Sequence, residues 1–403
     1  MSDERVFPAY GESSLAELPG TVMDLLDIDN DLSSFSDELI DSESSYENVV
    51  VVLVDGLRFD MAKNAGGFFE RARENGSIEK CTSVFPSATP ATLTTLYTGR
   101  RPLGHGLLGW EMYYEEIEDH IFTLPFTVKD GPHPSEEGLG IDDLFEGDSI
   151  YPGMKEAGID VFTVSKRDLV GSDYSSVASK GSSSIGYENT ADMALKIKNT
   201  LENNDGRKFV YGYTADVDSV SHFEGPESEA VRNQIEMISD CLERNLVDRL
   251  SEDVAEDTLF MITSDHGQIE GGEKVDLLQW DKVAECVEKD SNGDLIGPSG
   301  NAGRSVFLHV EDGKVKELQE FLQDKIDAEV LRTEDAIEKG LFGSGVEAER
   351  FRDRAGDLTI ISNGKKIHWF RPETLEDVGF HGGLHRKEME IPLFYCELSD
   401  LQG

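Results

Sequence analysis

Acidic, imidazole and hydroxyl side chains recur in five short motifs that are spread over most of the 403-residue chain. Aspartate and histidine without cysteine are typical ligands of Zn²⁺, with Mn²⁺ as the alternative. The seven candidate groups, three Asp, three His and one Thr, are too many for one ion and enough for two. In chain order the motifs are VVVVLVDGLRFD with Asp55, FPSATPATLTTLYTG with Thr89, YTADVDSVSHFEGP with Asp218 and His222, LFMITSDHGQ with Asp265 and His266, and FHGGLHRKEMEIPLF with His381.

Thr89 stands immediately before Pro90 and a helix-competent run that ends at Gly99. Proline is favoured in the first helical turn and threonine at the N-cap, so we expect Thr89 to cap this helix at its positive end. A helix N-terminus binds phosphate, and a hydroxyl placed there is aimed at a bound phosphorus atom. Thr89 is therefore predicted to be a nucleophile or, in the simpler interpretation, only a cap.

Asp218 and His222 form a DxxxH pair just after a strand-like run. One helical turn brings residues four positions apart onto one face, which would offer a carboxylate and an imidazole to one metal ion. Asp216 is close enough to be an alternative ligand. His385 similarly competes with His381, although it falls among charged residues and is expected to be exposed.

Apolar runs that are typical of strands lead into these motifs, at 49–54, 209–213, 259–263 and 392–395. The first three each end in a polar cluster that contains Asp, and in open α/β sheets ligands collect at the carboxyl ends of strands. At one of these ends Asp265 and His266 are adjacent, and burying both without a cation would cost desolvation energy. The pattern predicts one shared site at neighbouring strand ends.

The runs alternate with amphipathic, helix-length stretches from Asn48 onward, which predicts an α/β fold with a mostly parallel central sheet and helices on both faces. Residues 1–46, rich in Ser, Asp and Glu, are interpreted as an acidic N-terminal lead-in that can dock a helix. Residues 47–403 are interpreted as the catalytic domain. Within it, SVFLHV, VKELQEFLQDKI and LTIIS predict a small α/β insertion or cap at about 270–362.

The charge balance is extreme, with 81 acidic against 37 basic residues and a formal net charge of -44. Such a field repels nucleic-acid polymers and anionic membranes, so neither is an expected partner. It would also repel a phosphate substrate unless bound metal cations make the local electrostatic potential positive. Acidic residues interspersed over a folded chain are typical of proteins from salt-loving organisms, where concentrated salt screens the repulsion.

Cysteine usage and hydropathy favour a cytoplasmic protein. The four cysteines form no CxxC pair or compact framework, which predicts reduced thiols. The N-terminus lacks a basic start followed by an apolar stretch, and no run reaches the roughly 18 apolar residues of a membrane span. The sequence leaves the oligomeric state open.

From about Asn48 onward, the order and spacing of the motifs resemble the alkaline phosphatase superfamily. The HGGL…EM…PL ending is similar to its type I phosphodiesterase/nucleotide pyrophosphatase members. These relatives commonly have, three residues after the nucleophile, an Asn that contacts a phosphate oxygen. Here that position is Thr92, so the resemblance implies that Thr92 binds the substrate phosphate. The resemblance implies two divalent ions, one held by Asp55, Thr89, Asp265 and His266 and the other by Asp218, His222 and His381.

The implied reaction is hydrolysis of phosphodiester or pyrophosphate bonds in small, nucleotide-like substrates through a phosphothreonine at Thr89. The alternatives are a phosphomonoesterase or phosphotransferase of the same superfamily, or a metal-binding module without turnover. A sulfatase is disfavoured because the CxPxR-type setting is absent. Trp110, Tyr113 and Tyr114 could stack on a nucleobase, although packing within the cap is favoured.

The acidic surface predicts that salt sustains folding, because the like charges repel one another when they are unscreened. We expect the melting temperature, followed by circular dichroism, to rise from dilute buffer to molar KCl. Sucrose is the control, since it favours compact states without screening charge. An unchanged melting temperature in KCl would contradict the halophilic interpretation.

Overall fold

A computed structural model of the chain describes residues 4–40, 44–129, 131–301, 303–369 and 376–402, so parts of the acidic lead-in lie outside the described residues. The strands are β1 (Asn48–Val54), β2 (Ser77–Thr82), β3 (Glu111–Tyr114), β4 (Asp119–Phe122), β5 (Thr127–Val128), β6 (Asp160–Lys166), β7 (Ser183–Tyr187), β8 (Lys208–Thr214), β9 (Thr258–Thr263), β10 (Ile269–Glu270), β11 (Ser299–Asn301), β12 (Ser305–Leu308), β13 (Ala328–Arg332), β14 (Leu358–Ser362), β15 (Gly379–Phe380) and β16 (Glu390–Glu397).

Helices connect these strands and cover the sheets. They are α1 (Leu18–Leu25), α2 (Phe59–Asn64), α3 (Phe68–Asn75), α4 (Thr89–Thr98), α5 (Pro102–His105), α6 (Tyr151–Glu156), α7 (Asp173–Ala178), α8 (Thr190–Asn203), α9 (Asp216–Glu224), α10 (Glu229–Asn245), α11 (Glu252–Glu256), α12 (Asp281–Ala284), α13 (Val315–Lys325), α14 (Thr333–Glu338), α15 (Phe351–Ala355) and α16 (Arg386–Met389).

The central sheet has seven strands in the order β2-β16-β9-β1-β8-β6-β7. The five strands from β9 to β7 run parallel, and β16 runs antiparallel to both of its neighbours. Because β1 lies between β8 and β9, with Val54 opposite Thr214 and Leu53 opposite Thr263, these three strands end at the same edge. The predicted convergence of the Asp-bearing strand ends is confirmed.

The central sheet is buried on both faces, as its apolar strands require. All seven residues of β1 are buried, and its six apolar residues alternate between two hydrophobic clusters. One cluster adds side chains from α1, α4 and α6, and the other adds side chains from α3, α8 and α10. The predicted fold class, a mostly parallel sheet with helices on both faces, is therefore confirmed.

A second seven-stranded sheet has the order β13-β14-β12-β11-β3-β4-β5. Four of its strands come from the segment predicted as an insertion at about 270–362, and the other three come from residues 111–128. The two parts join where Gly300 pairs with Glu111. Helix α13 packs on this sheet in a third cluster that includes Val306, Leu322 and Ile360.

The N-terminal segment contributes helix α1, whose Leu18 and Val22 are buried in the same cluster as one face of β1. Among the described residues, no helix is both long and apolar enough to cross a membrane.

Arg304 and Glu388 connect the second sheet to the segment that follows His381. Both side chains are fully buried, and the guanidinium donates from Nε to Oε1 at 3.0 Å and from Nη2 to Oε2 at 2.7 Å. The Glu388 carboxylate also accepts from the N–H of Gly383 at 2.9 Å and of His385 at 3.2 Å. A bidentate pair with further hydrogen bonds satisfies both buried charges.

Removing the guanidinium should leave the Glu388 carboxylate buried without its counter-charge. We expect Arg304→Ala to lower the free energy of unfolding by about 3–5 kcal/mol in denaturant titrations. Arg244→Ala is the control, because Arg244 pairs with Asp240 on the exposed surface of α10 and its loss should cost about 0.5 kcal/mol or less. Equal losses in the two variants would contradict a structural role for the buried pair.

Candidate active site

The site lies where three adjacent strands of the central sheet end. Asp55 directly follows β1, Asp265 follows β9, and Asp218 lies in the first turn of α9, which follows β8. The turn after β1 comes close to α9, because a Cβ on Gly56 would lie 2.9 Å from Cα of Asp218. Gly56 also has a φ of +75°, so its lack of a side chain permits both the turn and the approach.

A first group consists of Asp55, Asp265, His266 and Thr89. His266 Nε2 lies 3.3 Å from Oδ2 of Asp265, 3.5 Å from Oδ1 of Asp55 and 3.1 Å from Oγ1 of Thr89. All four residues are buried. The two carboxylates and the imidazole are close enough to bind one ion.

A second group consists of Asp218, His222 and His381. Oδ1 of Asp218 lies 3.5 Å from His222 Nε2 and 3.9 Å from His381 Nε2. Helix α9 carries both Asp218 and His222, as the DxxxH spacing predicted. The two groups touch through the rings of His266 and His381, which stack with centroids 3.6 Å apart. Asp218, His266 and His381 are also close enough to bind one ion.

Backbone carbonyls orient all three imidazoles in the same way. Nδ1 of His222 lies 2.8 Å from the carbonyl oxygen of Gly379, Nδ1 of His381 lies 3.0 Å from that of Ser87, and Nδ1 of His266 lies 3.2 Å from that of Gly267. A carbonyl only accepts, so Nδ1 carries the proton in each ring. The Nε2 lone pairs then face the carboxylates, which is the arrangement of metal-binding histidines.

Burial makes the carboxylates of the first group unfavourable as free anions. It raises the pKa of Asp265 to about 7 and raises the pKa of Asp55 as well, and the negative charge of Asp218 adds to both shifts. Burial also lowers the pKa of His266 to about 4, so this imidazole is neutral and supplies no counter-charge. Perturbed pKa values of this kind cluster at functional sites.

Within the first group, two buried carboxylate oxygens have no hydrogen-bond donor among the described residues. They are Oδ1 of Asp55 and Oδ2 of Asp265, both buried and both directed at His266 Nε2. Orphaned anionic oxygens beside an imidazole lone pair repel one another unless a cation lies between them. The donor set of oxygen and nitrogen therefore fits a divalent cation.

Thr89 differs from its predicted position by one residue. Helix α4 begins at Thr89, Ala88 is the N-cap, and no side chain caps the helix. The Thr89 hydroxyl lies 3.1 Å from His266 Nε2 instead of bonding to a backbone N–H of its own helix. The expectation that Thr89 caps the helix was wrong, while its location at the positive end of a helix beside the ligand motifs is confirmed.

The other candidates make their contacts elsewhere than at the ligand atoms of these two groups. Thr92 is fully buried, and its hydroxyl donates to the carbonyl of Asp265 at 3.4 Å. It therefore supports the backbone of the loop that carries Asp265. Asp216 pairs with Lys166 at 2.7 Å and accepts from the Thr190 hydroxyl at 2.9 Å. His385 lies at the N-cap of α16, where its ring accepts from a backbone N–H.

Two supporting residues were not predicted from the sequence. The Tyr213 hydroxyl donates to Oδ2 of Asp55 at 2.6 Å, and the Gln268 amide donates to Oδ1 of Asp218. Gln268 directly follows the DHG motif, and its position there was the available signal. Tyr213 had no local signal, because a tyrosine in an apolar strand is ordinary core composition.

A cavity lies beside Thr89. Trp110, one of the three aromatic residues that could have stacked on a nucleobase, is among the residues that line it. Tyr113 and Tyr114 are buried in β3, as the packing interpretation expected.

Comparison with solved structures shows the same fold at low sequence identity. The murine ectonucleotide pyrophosphatase/phosphodiesterase 5 matches with a TM-score of 0.65 and 17% identity, over 86% of this chain and 87% of that chain. An inactive threonine-to-alanine variant of the same murine protein, in complex with AMP, matches with a TM-score of 0.64 and 17% identity, over 88% and 92% of the two chains.

Phosphonoacetate hydrolase from Sinorhizobium meliloti 1021, in complex with phosphonoformate, matches with a TM-score of 0.61 and 17% identity, over 86% of this chain and 89% of that chain. A comparison with curated proteins found no match.

The sequence itself matches the family described as type I phosphodiesterase/nucleotide pyrophosphatase over residues 49–384. This span includes the first four motifs, the first five residues of the fifth motif and every residue of the two groups. The chain therefore belongs to the type I phosphodiesterase/nucleotide pyrophosphatase family and is a hydrolase that acts on phosphoric ester or anhydride bonds.

Proposed function

We propose that this hydrolase cleaves phosphodiester or pyrophosphate bonds in small, nucleotide-like substrates, and that it does so through a covalent phosphothreonine at Thr89. The observation that carries the proposal is the position of the Thr89 hydroxyl, 3.1 Å from His266 Nε2 and beside two orphaned carboxylate oxygens. The family description and the AMP complex of the murine protein support a nucleotide-like substrate.

Two divalent ions fit the residues present. Asp55, Thr89, Asp265 and His266 would hold one ion, and Asp218, His222 and His381 would hold the other. Oxygen and nitrogen donors without cysteine favour Zn²⁺, with Mn²⁺ as the alternative. When bound, such ions stabilise the negative charge that develops on the attacking and departing oxygens.

The residues of the chain position the attacking hydroxyl and favour a phosphate group beside it. The start of α4 holds the Thr89 hydroxyl at the positive end of a ten-residue helix, where a phosphate group is favoured. Oγ1 of Thr89 gives up its proton and forms the new bond to phosphorus, while the bond to the departing oxygen breaks and that oxygen takes up a proton. Water then cleaves the bond between phosphorus and Thr89 and regenerates the hydroxyl.

The ligand assignment predicts that protein purified without chelator holds two divalent ions per chain. We expect Asp218→Asn to hold about one ion by elemental mass spectrometry, because the second group loses its only carboxylate. Asp216→Asn is the matched control, two positions earlier on the same helix but paired with Lys166, and it should keep both ions. Only traces of metal in the parent protein would contradict the two-metal site.

The covalent mechanism predicts that Thr89→Ala loses activity far more than stability. We expect turnover of an aryl phosphodiester to fall by about 10³-fold or more, because the attacking oxygen is gone. The melting temperature should change little, since Thr89 does not cap its helix. Thr89→Ser should retain part of the activity, because a hydroxyl remains.

Thr98→Ala is the matched control for this substitution. Thr98 lies at the other end of the same helix, and its hydroxyl bonds to the carbonyl of Thr94 at 2.7 Å. Its replacement should leave turnover nearly unchanged. Acid-quenched parent enzyme should also yield a phosphorylated Thr89 peptide in mass spectrometry. Turnover by Thr89→Ala within about tenfold of the parent, a difference of only ~1.4 kcal/mol, would exclude Thr89 as the nucleophile.

A further inference from the structure

Two adjacent cavities of about 380 Å³ and 460 Å³ lie on the second sheet. They share four lining residues, Tyr113, Glu118, Asp290 and Ile296, and the two cavities together are called the acidic trough below. None of the residues that line it belongs to the candidate active site or lines the cavity beside Thr89. The acidic trough is therefore a separate feature of the molecule, with Tyr113 where its two parts meet.

The acidic trough concentrates negative charge. Ten residues with carboxylate side chains line it, against two cationic residues, Lys289 and Arg352. Arg352 is already paired with Glu347 at 2.6 Å. Burial raises the pKa of Glu288, and the negative charge of the neighbouring Asp357 adds to this shift. A cationic ligand would relieve the repulsion between these carboxylates.

His309 is the residue that points to a ligand. It directly follows β12 and lines the acidic trough, only 7% of its surface is exposed, and its Nε2 has no hydrogen-bond partner among the described residues. The ring meets Tyr113 edge to face, with centroids 5.3 Å apart. Burial lowers the pKa of His309 to about 4, so the imidazole is neutral. Buried polar atoms are normally paired, so Nε2 points to a polar group that a ligand supplies.

The neighbouring carboxylates restrict the chemistry of that ligand group. The N–H of Glu288 donates to the carbonyl of His309 at 3.0 Å, so a residue with a carboxylate lies directly beside the imidazole. Carboxylate oxygens only accept hydrogen bonds, and a neutral imidazole accepts at one nitrogen. An ammonium group has three N–H donors and a positive charge, so it can satisfy both.

An organic cation fits the acidic trough better than a metal ion. Among the described residues, groups of three ligand atoms within 4.8 Å of one another occur only in the candidate active site. The trough has carboxylates in both of its parts, with Glu288 in one and Glu137 in the other. A linear cation with several ammonium groups can reach both parts, while its methylene groups lie against the ring of Tyr113.

We propose that the acidic trough binds a linear polyamine, with one ammonium group bonded to Nε2 of His309 and the others to carboxylates in both parts. Tyr113 and Glu118 belong to the part of the second sheet at 111–128, whereas Asp290 and His309 belong to the segment at about 270–362. A bound polyamine therefore connects the two parts of this sheet and stabilises the folded protein, independently of the reaction at Thr89.

Calorimetric titration with spermine, in molar KCl and on protein purified without chelator, tests the proposal. Concentrated salt screens exposed carboxylates, which suppresses scattered binding to the rest of the acidic surface, whereas a partly buried site is screened less. We expect saturable binding of about one spermine per chain and a higher melting temperature in its presence. No saturable binding, or several spermine molecules per chain, would overturn the proposal.

Two competitors distinguish a polyamine from other cations. Equimolar Mg²⁺ and an equimolar tetralysine peptide should leave spermine binding nearly unchanged, because neither combines N–H donors with an unbranched chain. Displacement by Mg²⁺ would assign the acidic trough to a metal ion, and displacement by tetralysine would assign it to a basic peptide. Either result would overturn the polyamine assignment.

A double variant tests whether spermine binds in the acidic trough. Glu288→Gln combined with Glu137→Gln removes one charge from each part and should weaken spermine binding by about tenfold or more. Glu252→Gln combined with Glu256→Gln is the matched control, because it makes the same charge change on the exposed side of α11. Equal affinities of the two double variants would contradict a site in the trough.

His309→Phe tests the contact with the imidazole. Phenylalanine keeps a ring against Tyr113 but removes both nitrogen atoms, so we expect spermine to bind about fivefold more weakly, the loss of one hydrogen bond. Circular dichroism checks that this variant is folded, and the two double variants, which change no fully buried side chain, test the site independently of it. Parental affinity in folded His309→Phe would overturn the contact with Nε2.

Discussion

Asp55, Asp218 and Asp265 come together because β1 lies between β8 and β9, and the fold places their carboxylates at one edge of the central sheet. Among the described residues, their ionic partners are histidines, and burial holds the imidazole of His266 in its neutral form. Concentrated negative charge in a buried place requires cations. The sheet order and the turn at Gly56 bring the carboxylates together. The orientation of the imidazoles directs Nε2 lone pairs at the same place.

The site is assembled from loops that are far apart in the chain, and each is held by backbone contacts. The carbonyls of Ser87, Gly267 and Gly379 orient one imidazole each, so the three Nε2 atoms are fixed by main chain. The Arg304–Glu388 pair holds the glycine-rich segment after His381 and connects it to the second sheet. The second sheet therefore supports the two groups of candidate metal ligands without supplying a member of either group.

The sequence predicted the parts of this molecule that depend on local patterns. Apolar runs followed by Asp identify the central strands, and the DxxxH spacing places Asp218 and His222 on one helix face. The second sheet was predicted only in part, because β3 pairs with β11 across almost 190 positions and both strands are short. The contact between Tyr213 and Asp55 depends on tertiary packing, and no local spacing encodes it.

The order of strands β2, β16 and β9 has a consequence for how the chain acquires its structure. Strand β2 is joined to the central sheet through β16, and Lys80 of β2 bonds to Glu390 of β16 across 310 positions. During synthesis, β2 therefore cannot pair with β16 until nearly the whole chain has left the ribosome. His381 emerges just before β16, so the last imidazole and the strand that closes this edge arrive together. Such a high contact order slows folding, and the central sheet and the two groups of candidate metal ligands are completed together, late in folding.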